Sequence, residues 1–148
     1  MAEMENGDPT NWFNGNAAHD YQAMLGNLIP YLNVSRDCNE ANKKGCFKTN
    51  ETYKFLQGTS NPTLLLDDSG YSIMLADGTS IHTVLSTFHA SCNWSNSTTN
   101  LALKNSCGAW YVDINGFKSP NQLGRDTFMF YLTKYGVMPT GSKKETES

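Results

Sequence analysis

The chain has 148 residues, room for one domain of ordinary size and little for a second core. Fourteen acidic against eleven basic side chains give a formal charge of −3, which argues against a surface built to neutralise a phosphate backbone, so no nucleic-acid partner is expected. The 39% hydrophobic content is modest and only 17% of residues are charged, but 11% aromatics exclude a disordered chain.

The sequence from Met1 to Glu5 favours helix, and Asn6-Gly7-Asp8-Pro9 reads as a helix stop. No basic and apolar leader precedes it, and no stretch approaches the roughly 20 apolar residues that span a bilayer. Residues 17–32 place Ala18, Tyr21, Met24, Leu25, Leu28, Ile29 and Leu32 at three- and four-residue spacings, which predicts a helix broken near Pro30. Residues 34–57 read as polar and turn-rich, with 39–45 forming a loop between Cys38 and Cys46.

The middle and end of the chain read as β. A short apolar run at 63–66 is followed by strand-like segments at 71–75 and 80–85, joined by Ala76-Asp77-Gly78-Thr79. Asp-Gly between two such runs predicts a hairpin with a type I′ turn. Residues 89–106 return to polar loop, and 109–114 and 126–132 predict two more strands. The charged end, 142–148, reads as a flexible tail. The expected fold is α+β, with helix covering a roughly four-stranded antiparallel sheet over residues 1–141.

The four cysteines, Cys38, Cys46, Cys92 and Cys107, lack the close spacing of a zinc site. Of three possible pairings, Cys38–Cys46 and Cys92–Cys107 each close a local polar loop and are favoured, which implies an oxidising compartment. The loop between the last two strands gathers oxygen-bearing side chains at Asp113, Asn115, Asn121 and Asp126, together with Gly116, Pro120 and Gly124. Such residues cap tight turns through backbone N–H groups, with Gly116 and Gly124 at positive φ. The same four oxygen donors could also serve a calcium ion, although the full EF-hand spacing is missing.

Other constellations favour a structural role. His82, His89 and Cys92 have no third ligand or acid spaced to complete a metal or nucleophilic site, and Asp67-Asp68 sits at a Ser-Gly turn. No Ser/His/Asp motif, phosphate loop or dinucleotide fingerprint occurs, so no enzyme is expected. Four N-x-[ST] sequons match the roughly three that this Asn, Ser and Thr content yields by chance. Trp94, a large aromatic between Cys92 and Cys107, is either a packing anchor or a contact residue.

The run from Cys107 to Phe128, with Asp113-x-Asn115-Gly116, Pro120-Asn121 and Gly124-x-Asp126, resembles the C-terminal signature of bacterial type IV pilin-like and type II secretion pseudopilin-like proteins. Residues 3–8 look like the end of that family's long first helix, making 1–7 its remnant, and 28–32 with Asp37-Cys38 look like the entry to its disulfide-bearing loop. The resemblance implies a structural subunit whose head packs into a surface pilus or secretion pseudopilus. Its partners would be other pilin or pseudopilin subunits. It would lie in a cell-surface, periplasmic or extracellular filament, and at the inner membrane before assembly only through a hydrophobic helix absent from this sequence. Some pseudopilins hold calcium in their C-terminal loops, so the resemblance also admits that ion. The competing expectation is a free secreted adhesin-like or carbohydrate-binding module that makes contact through Trp94.

Overall fold

Runs of β-branched and aromatic residues separated by turn formers fold here into strands that pair strictly with their neighbours in sequence. The computed structural model describes residues 25–26, 28–39, 45–47, 53–56, 58, 71–84, 92–93 and 104–140. Its strands are β1 (Val34–Asn39), β2 (Ser72–Leu75), β3 (Ser80–Val84), β4 (Ser106–Asp113), β5 (Thr127–Thr133) and β6 (Gly136–Pro139). They form one six-stranded sheet in the order β1-β2-β3-β4-β5-β6, with every pair antiparallel.

This architecture overturns the expected α+β fold. Among the described residues there is no helix of seven residues or more, and the sheet has six strands rather than four. The predicted helix over 17–32 reaches the described residues as helical backbone at Leu25, Gly26 and Leu28, followed by a three-residue 3-10 turn at Ile29–Tyr31. Pro30 lies in the first turn of that element, where its missing N–H is harmless, and Val34 then opens an edge strand. The periodic apolar spacing nonetheless marks burial. Leu25 and Leu28 are buried in one core cluster with Ile73, Ile81, Cys92, Cys107 and Leu132.

Two strands escaped the sequence reading because edge strands have little to bury. β1 carries only Val34 and Cys38 as apolar residues and is irregular at two points against β2. β6 is four residues long and follows a tight turn through Lys134 and Tyr135. Both are short edges, and Pro139 removes one N–H that a strand from another molecule would need.

The Asp77-Gly78 turn forms as a hairpin connection, but not as type I′. Gly78 has φ of 91° while Asp77 is not among the residues at positive φ. The Gly78 N–H donates to Leu75 O at 3.0 Å and the Leu75 N–H to Thr79 O at 2.8 Å, a three-residue loop closed by a left-handed glycine. Asp77 Oδ1 accepts the Thr79 N–H at 2.9 Å, which holds its exposed carboxyl below the ordinary carboxylate range.

Pleating sorts the two faces. One row runs Ile73, Ile81, Val112 and Phe128 across β2 to β5, and its first three members join the core cluster that holds Leu25 and Leu28. The opposite face carries Ser72, His82, Tyr111 and Met129 in register, covered by Phe47 and Tyr53. There the Phe47 ring lies 5.6 Å from Tyr53 and 5.5 Å from His82, centroid to centroid, and His82 Nδ1 shares a 2.7 Å hydrogen bond with Ser72 Oγ. Burial pushes the Tyr111 hydroxyl up to about 12, with Tyr131 adding to the effect. Both faces are therefore packed.

Candidate functional site: the β4–β5 loop

The turn formers between β4 and β5 fold over the end of the sheet onto residues 53–56. Asp113, the last residue of β4, stands between Ser80 on β3 and Thr127 on β5 in the register, and all three are fully buried. One oxygen of Asp113 accepts the Tyr53 hydroxyl at 3.0 Å and the other the Asn115 N–H at 3.1 Å. Burial raises the Asp113 carboxyl above its ordinary range and the charge of Asp126 adds to this, while the Asn115 and Gly116 N–H groups and the Tyr53 hydroxyl oppose it.

Asp126 works from the other side of the loop and is also buried. Its Oδ2 accepts the Asn121 N–H at 2.8 Å and the Asn115 side-chain amide at 3.2 Å, and its Oδ1 accepts the Gln122 N–H at 2.5 Å. Its backbone carbonyl takes the Ile114 N–H at 2.9 Å. Asn121, at φ 52° after the cis Ser119–Pro120 peptide, directs its amide nitrogen to the carbonyls of Lys118 and Gly116 at 3.0 and 3.2 Å. The strand-like segment at Lys54 completes the clasp, because its N–H donates to Asn121 O at 3.1 Å and its carbonyl accepts the Leu123 N–H at 3.0 Å.

Two glycines let these pieces close. Gly116 has φ of 59°, and a β-carbon there would stand 2.5 Å from the Gly78 carbonyl oxygen and 3.3 Å from Ser80 Oγ. Gly124, at φ 83°, lies under Leu56. The β4–β5 loop therefore rests directly on the tip of the β2–β3 hairpin.

The structure joins Asp113, Asn115, Gly116, Asn121 and Asp126 in one network and places Pro120 and Gly124 beside it. The disulfides are Cys38–Cys46 and Cys92–Cys107, and the described residues include no free cysteine. Residues 1–7 and 142–148, the apolar run at 63–66, His89, Asp67, Asp68 and Trp94 lie outside the described residues. The sequence reading missed Tyr53 and Lys54, which sit in a stretch read as polar loop. The only signal was the apolar residues Phe47, Tyr53, Phe55 and Leu56 in otherwise hydrophilic sequence.

No family model matches the sequence, no curated protein matches it, and no solved structure matches the chain. The pilin-like resemblance therefore stays a reading of the motif itself.

The carboxylate oxygens proposed for calcium are engaged within the loop. Calcium takes six to eight oxygens, whereas here each carboxylate oxygen of Asp113 and Asp126 already receives an N–H or O–H. The Asn121 amide is oriented here so that its nitrogen donates to the nearby carbonyls, and Asn115 Oδ1 is buried without a donor. Among the described residues, no group of three or more His, Cys, Asp or Glu side chains converges, and no helix is long and apolar enough to cross a membrane. What the arrangement does chemically is fix the loop, with charge-assisted hydrogen bonds at several backbone positions.

Proposed function

We propose that the chain is the head of a filament subunit, pilin-like or pseudopilin-like, that works by non-covalent packing against its neighbours. The observation carrying this reading is the fate of the signature residues. Asp113 and Asp126 are buried and spent on hydrogen bonds within the loop, so the motif supplies a stiff, shaped surface rather than a reacting group. Ile114, Phe117 and Leu56 stay exposed on the outside of that loop and its partner segment. A rigid backbone presenting apolar side chains loses little conformational entropy on association.

The test is where the chain resides in the cells that make it. Filaments sheared from the surface, resolved from soluble secreted protein and probed by immunolabelling, should contain the chain. Recovery only as a free soluble protein would refute the subunit reading and favour a secreted binding module.

A further inference from the structure

The order of the strands decides which exposed side chains share a neighbourhood. Val34 opens β1 beside Leu75 at the end of β2, Ser80 opens β3 beside Asp113 at the end of β4, and Thr127 opens β5 beside that same Asp113. The Ile29–Tyr31 turn, the tip of the β2–β3 hairpin and the β4–β5 loop therefore lie at one end of the sheet. Asn33 O accepts the Ala76 N–H at 2.8 Å and ties the first to the second. The close approach of Gly116 to Gly78 O ties the second to the third. Leu56 joins them through its side chain, which lies against Gly124.

This end collects most of the apolar exposure. Of six exposed large hydrophobic side chains among the described residues, Tyr31, Leu56, Ile114 and Phe117 lie here, at 52%, 62%, 54% and 40% exposure. The other two, Tyr135 and Val137, lie in and just after the β5–β6 turn at the opposite end. The same end carries three exposed cations, Lys54, Lys118 and Arg125. Asp77 is its exposed carboxylate among the described residues, because Asp113 and Asp126 are buried.

Cations set around projecting apolar side chains match the headgroup layer of an anionic bilayer and the acyl boundary beneath it. A protein partner engages through pockets that seat anchor side chains, whereas side chains exposed by 40–62% project from the surface instead of lining a pocket. A bilayer needs no pocket. The net charge of −3 makes the contact end-on. The eight residues of β4 span roughly 25 Å, about three Debye lengths at physiological salt, so charges at the far end of the sheet are screened from a bilayer that meets this end.

We propose that this end of the sheet docks on the surface of an anionic lipid bilayer, with Lys54, Lys118 and Arg125 at the headgroups and Tyr31, Leu56, Ile114 and Phe117 in the interface. The contact goes beyond the subunit reading and does not rest on it. The clasp that stiffens the loop also holds these side chains in place, so little further ordering is needed on binding.

The test is cosedimentation of the full purified, oxidised chain with sucrose-loaded vesicles, made of equal parts phosphatidylglycerol and phosphatidylcholine or of phosphatidylcholine alone. The wild type should bind the anionic vesicles at about 0.1 M salt, and lose about tenfold in affinity at about 0.5 M salt or on phosphatidylcholine alone. K118E/R125E should lose at least about tenfold, and I114S/F117S about tenfold. K134E/Y135S, at the opposite end, should bind within about twofold of the wild type. All of these substitutions fall on exposed residues, and unchanged melting curves establish that the variants fold. Hydrogen exchange on the wild type reads the same contact without any substitution: anionic vesicles should slow the amides of 114–119 and leave those of 134–137 unchanged.

No binding to the anionic vesicles, equal binding by K118E/R125E, or an equal loss in K134E/Y135S would each overturn the proposal. So would capture by soluble polyglutamate with no binding to vesicles, which would assign the surface to an acidic protein. Vesicle binding by a chain absent from sheared filaments would keep this contact and remove the subunit reading.

Discussion

Replacing Asp126 by alanine tests whether the loop is held by its carboxylate. The substitution leaves the backbone N–H groups of Asn121 and Gln122 and the side-chain amide of Asn115 without their acceptor. Each stranded donor costs about 1–3 kcal/mol while it stays buried. Part of that is returned because a loosened loop admits water and because Asp113 loses a repelling neighbour. The expected loss is about 4 kcal/mol, a large share of the roughly 5–15 kcal/mol that holds such a domain together. With a urea slope of about 2 kcal/mol/M, the unfolding midpoint should fall by about 2 M. Asp126→Asn keeps one acceptor oxygen and should lose about half as much. Urea unfolding followed by tryptophan fluorescence reads both variants, and a loss below about 1 kcal/mol for Asp126→Ala would refute the clasp. Repeating the measurement with calcium and with a chelator separates the two uses of these oxygens. A calcium-induced rise in wild-type stability that Asp126→Ala abolishes would show that an ion, and not the N–H groups, organises the loop.

Gly116→Ala should destabilise the fold by about 2 kcal/mol or more, because the new methyl meets a backbone carbonyl at 2.5 Å and the residue sits at φ 59°. A thermal midpoint within one degree of wild type would contradict that close approach. Asp113→Asn should change the pH dependence of stability. Because the folded protein holds the Asp113 proton more tightly than the unfolded chain does, its term favours folding below the ordinary value of 3.8 and is lost as pH rises through the raised folded value. Wild-type stability minus that of Asp113→Asn should therefore be larger near pH 4 than at pH 7, as measured by denaturant unfolding at the two pH values. A difference that is equal at both, or larger at pH 7, would show that Asp113 is not the group being desolvated.

Legibility in the sequence followed how much each residue had to bury. The central strands were plain, since Ile73, Ile81, Tyr111 and Leu132 are buried on two packed faces and leave alternating apolar runs. Edge strands left no such trace. β1 holds Arg36, Asp37 and Ser35 with irregular pairing, so its extended conformation comes from bonding to β2 and not from its own pattern. The periodic spacing of Leu25 and Leu28 signalled burial correctly, but period alone does not fix how much of such a run is helical. In the loop, the motif showed which residues would gather, and Gly116 and Gly124 do take positive φ. The part played by Tyr53 was invisible, because its bond to Asp113 spans 60 residues of sequence.

The burial of the two carboxylates and the exposure of the neighbouring cations have one origin. A loop of this length crossing the end of a sheet leaves backbone N–H groups that β-ladder pairing cannot satisfy, and those of Asn115, Asn121 and Gln122 point into the turn. An anion is the acceptor that satisfies two or three of them at once. Once Asp113 and Asp126 are drawn inward for that purpose, Lys118 and Arg125 remain outside without a carboxylate from their own loop. The loop's stiffness and its positive outer charge are therefore coupled. Weakening the clasp should blur the charged surface as well as lower stability.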